Sequence, residues 1–260
     1  MMKKSSGITS KLPAAAALAV VVLLWLGASE GGLVPAFMLP SPVQVCRALA
    51  ADLPVLAENA RVTLLEAAWG LGLGVALALA LATLMHWVRP LYRALYPLLV
   101  ITQTIPTIAI APLLVLWMGF GMAPKVTLVA LTTFFPIAVS LLEGYASTDR
   151  AAAGLLRSMG ATRWQIFRHL EFPSALSHFF SGLRVSVSYA VVGAVISEWL
   201  GGFEGLGVYM TRVKKAYAFD KMFAVILVIV AVSLLLMALV TLLRRRACPW
   251  EKFEKIERND

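Results

Sequence analysis

The chain has 260 residues, 60% of them hydrophobic and only 14% charged, with a formal net charge of +9 and a mean hydropathy of +0.83. Soluble globular chains carry about 45–50% apolar and about 25% charged residues, so a water-soluble fold is excluded, and so are a disordered chain and a disulfide scaffold. Cys46 and Cys248 lie far apart and form no CxxC pair, which leaves an all-α polytopic membrane protein.

A bilayer core of about 30 Å takes roughly 20 apolar residues of helix. Uncharged or nearly uncharged runs predict six transmembrane helices, at about 12–29, 62–85, 94–117, 124–144, 175–199 and 220–243. A short tail, 1–11, precedes this membrane domain (12–243), and a basic tail, 244–260, follows it. Lys3 and Lys4 ahead of an apolar run are reminiscent of a secretory signal. The run is long, however, and Glu30-Gly31-Gly32 is a poor cleavage context, so the first helix is expected to stay attached. After it, Ser41 can cap a helix that has Pro42 at its first position. That helix carries Val43, Val45, Leu49 and Leu53 and reads as an amphipathic segment at the membrane interface.

The second span holds Glu66 a few residues from its start, either paired with Arg61 or a neighbouring helix, or lining a solute pathway. Its small residues Gly70, Gly72, Gly74, Ala76, Ala78 and Ala80 suit close helix packing. The third run contains Pro106 and Pro112. Gln103 just before Pro106 is a candidate pathway residue, because Pro106 frees a backbone carbonyl and broken helices at membrane depth line protein or water. In the fifth span Arg184 is expected to snorkel, and Glu198 ends the span as a solvated helix terminus or a pathway residue. A glycine-rich stretch follows, from Trp199 through Gly207. Trp87, Trp117, Trp199 and Trp250 read as anchors in an interfacial belt.

Between the fourth and fifth spans lies a polar segment, 149–172. Asp149 is a candidate N-cap for a helix with Ala152, Leu155, Leu156 and Met159 on one stripe. Gly160 ends it in a left-handed conformation. Thr162 opens a second helix, with Gln165 completing a capping box, and Pro173 is expected to close the segment. Arg157, Arg163 and Arg168 surround the elbow. Lipid contact and docking into a groove on a cytoplasmic partner both suit this pattern. The abrupt glycine turn favours the partner.

Lys and Arg fix the orientation. The side shared by both termini holds fifteen of them, including Lys3, Lys4, Lys11, Arg89, Arg93 and Arg244–Arg246. The other side holds seven: Arg47, Arg61, Lys125, Arg212, Lys214, Lys215 and Lys221. Both termini are therefore expected in the cytoplasm, and the basic balance reflects topology and anionic lipid without any nucleic acid.

The stretch Arg157-Ser158-Met159-Gly160-Ala161-Thr162-Arg163-Trp164-Gln165-Ile166-Phe167, with Leu170-Glu171-Phe172-Pro173, resembles the EAA loop of bacterial ABC-importer permeases. The branch it looks most like serves nitrate, sulfonates, taurine and thiamine-precursor pyrimidines. Leu39-Pro40-Ser41-Pro42, Gln103-Thr104-Ile105-Pro106, Ala111-Pro112-Leu113-Leu114, Gly182-Leu183-Arg184, Glu198-Trp199-Leu200-Gly201 and Gly205-Leu206-Gly207 agree in order and spacing. The resemblance implies a homodimeric permease of the MetI-like fold in the bacterial cytoplasmic membrane. A pair of ABC ATPase subunits would sit below it, and a periplasmic or lipid-anchored binding protein would deliver solute from above. Leu155, Ser158, Met159, Gly160, Ala161, Thr162, Arg163 and Trp164 would then couple to the ATPase. Glu66, Gln103, Pro106 and Glu198 would be pathway candidates. The name-giving Glu-Ala-Ala falls at Gly154-Leu155-Leu156, so its glutamate is missing.

No GxxxxGK[ST] occurs, so ATP would have to be hydrolysed by a partner. HExxH and GxSxG are also absent, and no catalytic, metal or cofactor site is expected. A secondary transporter usually shows an inverted repeat with paired broken helices, which this chain lacks. The third-span wording and the Cys248-Pro249-Trp250 ending look more like permeases for thiamine precursors or riboflavin than for sulfonate, taurine or nitrate.

Overall fold

The computed structural model describes residues 12–31, 35 and 37–250. The expected tail 1–11, with Lys3, Lys4 and Lys11, and the last part of the basic tail, 251–260, lie outside the described residues. Among the described residues every regular element is helical. They form two units, described separately: one joins residues up to Glu58 with Tyr209–Val228, the other joins Asn59–Val208 with residues from Ile229 onward.

In the first unit, α1 (Leu12–Glu30) is the apolar first helix, and α2 (Pro42–Ala51) is the expected amphipathic helix. Ser41 caps α2, Pro42 stands in its first turn, and Gln44 reaches back to complete a capping box, a pairing beyond the expected cap. Trp25 Nε1 donates to the Pro40 carbonyl at 3.1 Å, and the Trp25 ring stacks 5.7 Å from Phe223. Asp52 follows α2. Its carboxylate accepts from Tyr209 Oη and pairs with Lys221 Nζ at 2.8 Å. These partners hold its pKa below the ordinary carboxylate value of 3.8, the Lys221 hydrogen bond first and Tyr209 second, against the opposing pull of burial. Burial, and then the Asp52 acceptor, push the Tyr209 phenol well up.

The second unit contains most of the long apolar helices, although residues 53–58 and 219–228 of two of them belong to the first. Four helices are long and apolar enough to cross: α3 (Leu53–Trp87), α6 (Met122–Ala146), the continuous run Arg163–Gly201 and the last helix, Phe219–Ala247. The run Arg163–Gly201 comprises α8 (Arg163–Ile166), a π turn at Phe167–Glu171 and α9 (Phe172–Gly201). Pro173 was expected to close the polar segment. Instead, the helix passes through it. Proline offers no N–H to the carbonyl four residues back, and the wider turn absorbs the mismatch: Phe172 N–H bonds to Phe167 O, and Ser174 Oγ donates to Leu170 O at 2.7 Å.

The expected third span is two helices, α4 (Arg89–Thr102) and α5 (Thr107–Met118), bent by 101°. Proline drives the residue before it out of the α region, so the break falls at Gln103–Pro106. The freed carbonyls are not left bare. Thr102 Oγ1 donates back to Leu98 O and Leu99 O at 2.9 Å, and Thr104 Oγ1 to Ile101 O at 2.7 Å.

α6 lies at the centre, with α3 on one flank and α9 on another. Lipid supplies no hydrophobic force between helices, so close contact and interhelical hydrogen bonds hold the bundle. Of the small residues of α3, Gly70 and Gly74 abut α6 at Val129 and Thr133, whereas Gly72 faces open space. A helix presents residues four apart, not two apart, to one neighbour, and Ala78 and Ala82 continue the buried row. Across the other seam a Cβ on Gly182 would stand 2.7 Å from the Pro136 carbonyl. Ser186 Oγ donates to Thr133 O at 2.9 Å, a bond of the kind worth ~0.6 kcal/mol in membranes. Trp87 and Trp250 pack against the main core cluster rather than standing free in a belt, while Trp117 is 70% exposed.

Candidate functional site

The polar elbow forms as its residues dictate. α7 (Arg150–Ser158) starts at Asp149, whose side chain accepts from Ala151 N at 2.8 Å. It ends in a two-bond glycine cap: Gly160 N–H bonds to Arg157 O and Ala161 N–H to Leu156 O, both at 2.9 Å. Gly160 has φ +86, where a side chain is disfavoured. Thr162 caps α8 and exchanges hydrogen bonds with Gln165. Ser158 Oγ donates to Gly154 O at 3.1 Å. Ala161 is half-buried at the bend.

Two apolar sets diverge from this elbow. Ala153, Ile166 and Phe167 are buried, while Leu155, Met159 and Trp164 are 63%, 75% and 56% exposed. An exposed apolar set held by two capped helices has the shape that a groove on another chain can accept. Its other face is tied to the end of α3. Arg163 donates to the Trp87 carbonyl at 3.0 Å, and its guanidinium lies 4.9 Å from the Trp87 ring centroid. His86 Nε2 meets Glu171 Oε2 at 2.7 Å, and the His86 ring stacks on Tyr145 at 4.5 Å. Phe167 sits amid Trp87, Tyr145 and Trp164. Beside this tie opens a cleft of about 1390 Å³ whose wall includes Arg89, Arg150, Arg157 and Arg163. The His86–Glu171 pair was not anticipated. A histidine and a glutamate 85 residues apart give no signal in a single sequence.

A second cavity, of about 430 Å³, opens at the broken helix. Gln103 and Pro106 both line it, together with Thr107, Thr132, Phe135 and Tyr189. The other two pathway candidates, Glu66 and Glu198, line neither of these cavities. Both are buried, at 4% and 1% exposure. Glu198 is not a solvated helix end: it accepts from Thr63 Oγ1 at 2.6 Å and from Gly207 N at 2.5 Å. Of the two partners expected for Glu66, the neighbouring helix is the one found: Glu66 pairs with Lys125 of α6, at 2.5 Å. Lys125 itself, read as a loop charge, is 6% exposed within α6. Its position directly after Pro124, at the head of an uncharged run, was the one available hint. No group of three metal-ligating side chains occurs among the described residues.

Residues 70–247 match the family described as binding-protein-dependent transport system inner membrane component. The chain is 40% identical over 217 residues to the formylaminopyrimidine transport permease protein ThiX of Halalkalibacterium halodurans, covering 83% of this chain and 87% of that one. It is 36% identical over 238 residues to the riboflavin transport system permease protein RibX of Chloroflexus aurantiacus, covering 90% and 88%. Among solved structures, an inward-facing form of the MetNI methionine ABC transporter superposes with a TM-score of 0.67 at 20% identity, over 76% of this chain and 98% of that one.

Proposed function

The chain belongs to the family of binding-protein-dependent transport system inner membrane components, the multi-pass permeases of ABC importers, and from that premise we propose that it forms the passage for a small heteroaromatic solute, a formylaminopyrimidine or a flavin. The solute class rests on one observation: ThiX and RibX, the relatives described above, are named for those two cargoes. In this reading α1 and the bent pair α4–α5 join the four long helices to make six crossings, with both termini in the cytoplasm. Two copies of the chain enclose the passage, and a binding protein delivers the solute to its outer mouth.

The cavity at Gln103 and Pro106 supports a place on that passage, since it offers an amide beside aromatic and threonine side chains. Such a wall suits a flat polar ring. Glu66 and Glu198 stand behind the passage and brace its helices.

Power enters through the elbow. Leu155, Met159 and Trp164 seat in a groove of an ATP-hydrolysing subunit, and Gly160 with Ser158, Ala161 and Thr162 keeps the knuckle bent. Arg163 holds the knuckle to Trp87, so that displacement of the elbow is delivered to α3 and, through the π turn, to α9. The missing glutamate at Gly154 leaves the seating apolar.

Reconstitution with a cognate ATPase and binding protein tests the coupling. Gly160→Pro is expected to abolish the stimulation of ATP hydrolysis by solute-loaded binding protein, while size-exclusion elution of the permease stays unchanged. Full stimulation in that variant would refute the route. Titration calorimetry of the binding protein with pyrimidine, flavin, sulfonate and nitrate tests the solute class, and tight binding of only the last two removes it.

A further inference from the structure

The cleft beside the elbow is more basic than the tie to α3 requires. Its wall carries four guanidinium groups, from Arg89, Arg150, Arg157 and Arg163, against one carboxylate, Glu171. That carboxylate is already paired with His86, and Arg163 is engaged by the Trp87 carbonyl and ring. The side chains of Arg89, Arg150 and Arg157 make no ion pair or hydrogen bond among the described residues. Arg89 opens α4, and Arg150 opens α7. Arg157, seven residues further on, shares the face of α7 that Arg150 presents. Cations gathered in one cleft repel each other and focus their field on an anion.

The backbone adds to that field. α4 begins after Val88 with no side-chain cap, and the N–H groups of an uncapped first turn attract negative charge. Arg89, Pro90 and Tyr92 place this turn in the wall. Thr148 Oγ1, on another wall residue, is buried with no hydrogen-bond partner.

Guanidinium groups suit phosphate, which accepts their paired N–H donors. The wall suits a phosphate carried on a larger molecule. At about 1390 Å³ the cleft exceeds the roughly 300–1,000 Å³ of common small-molecule sites. Exposed Val88 and Tyr92 stand beside the arginines. Met85 and Leu142 bring in the ends of α3 and α6, two of the helices that cross the membrane. The cleft therefore opens where those helices leave the bilayer, at the depth of lipid headgroups. Basic pockets between helices at that depth take anionic headgroups.

We propose that this cleft binds the phosphate headgroup of one anionic phospholipid from the leaflet on the elbow's side, with Arg89, Arg150 and Arg157 as its ligands. The headgroup bridges the start of α4 to α7, a second fastening beside the contact of Arg163 with Trp87.

Native mass spectrometry of the full-length chain in detergent, titrated with phosphatidylglycerol, phosphatidylcholine or inorganic phosphate, tests this. One phosphatidylglycerol per chain is expected to bind at concentrations where phosphatidylcholine does not, and an equal concentration of inorganic phosphate is expected not to displace it. Arg150→Gln with Arg157→Gln is expected to weaken phosphatidylglycerol roughly twentyfold, the usual weight of two cations beside an anionic lipid. Arg245→Gln with Arg246→Gln removes the same charge outside the cleft wall and is expected to leave the affinity near wild type. Thermal unfolding reads the site independently: phosphatidylglycerol is expected to raise the melting temperature of wild type and to raise that of the cleft variant less. Equal binding of phosphatidylcholine, displacement by phosphate, or an equal loss in the two double variants overturns the proposal. So does a cleft variant that binds lipid like wild type but no longer retains a cognate ATPase, which would give these arginines to a protein partner. The wild-type lipid comparison decides the matter even where a variant folds poorly.

Discussion

Asp52 shows how much one carboxylate outside the bilayer can organise. It receives the Tyr209 hydroxyl and the Lys221 ammonium, and both favour its charged form. A carboxyl group whose folded-state pKa is depressed contributes stability above its ordinary value of 3.8, and that contribution is lost as pH falls through the lowered folded value. Asp52→Asn is therefore expected to melt below wild type at pH 7, with the gap closing under strongly acidic conditions. A gap that stays constant from pH 7 to pH 3 would remove the ionic part of the argument. The Lys221 side chain is 40% exposed, so high salt is expected to narrow the gap as well.

Helix contacts make their own prediction. Gly182 meets the Pro136 carbonyl and Ser140 across the α6–α9 seam, whereas Gly72 on α3 meets nothing within 4 Å. Gly182→Leu is expected to destabilise the chain by about 1–3 kcal/mol through overpacking. Gly72→Ala is expected to be neutral, or stabilising by up to about 1 kcal/mol, because alanine is the better helix former. Differential scanning fluorimetry of the two variants reads the contrast, and equal melting temperatures would contradict the seam. The sequence made much at this scale legible, since Ser41, Asp149, Gly160, Thr162 and the break at Pro106 act through neighbours a few residues away. Lys125 and Glu198 were misread because their partners lie 59 and 135 residues away, and no local pattern encodes that pairing. Pro173 was misread for another reason: proline forbids one hydrogen bond, and a π turn is a second way to forgo it.

For the molecule as a whole, dependence on separate subunits is the central expectation. Proteoliposomes holding this chain alone are expected to accumulate no solute against a gradient, and addition of the ATPase, the binding protein and ATP is expected to restore uptake. Active accumulation by the chain alone would instead identify a self-contained secondary transporter. The π turn at Phe167–Glu171 carries the last consequence. It stores one surplus residue between the elbow and a 30-residue helix. Excising a single residue there would leave an unbroken α-helix with the faces beyond it still in register, whereas the same excision from the regular helix between Phe172 and Gly182 would screw everything beyond it by about 100°. Gly182 is therefore expected to stay against Pro136 after the first deletion and to swing away from it after the second.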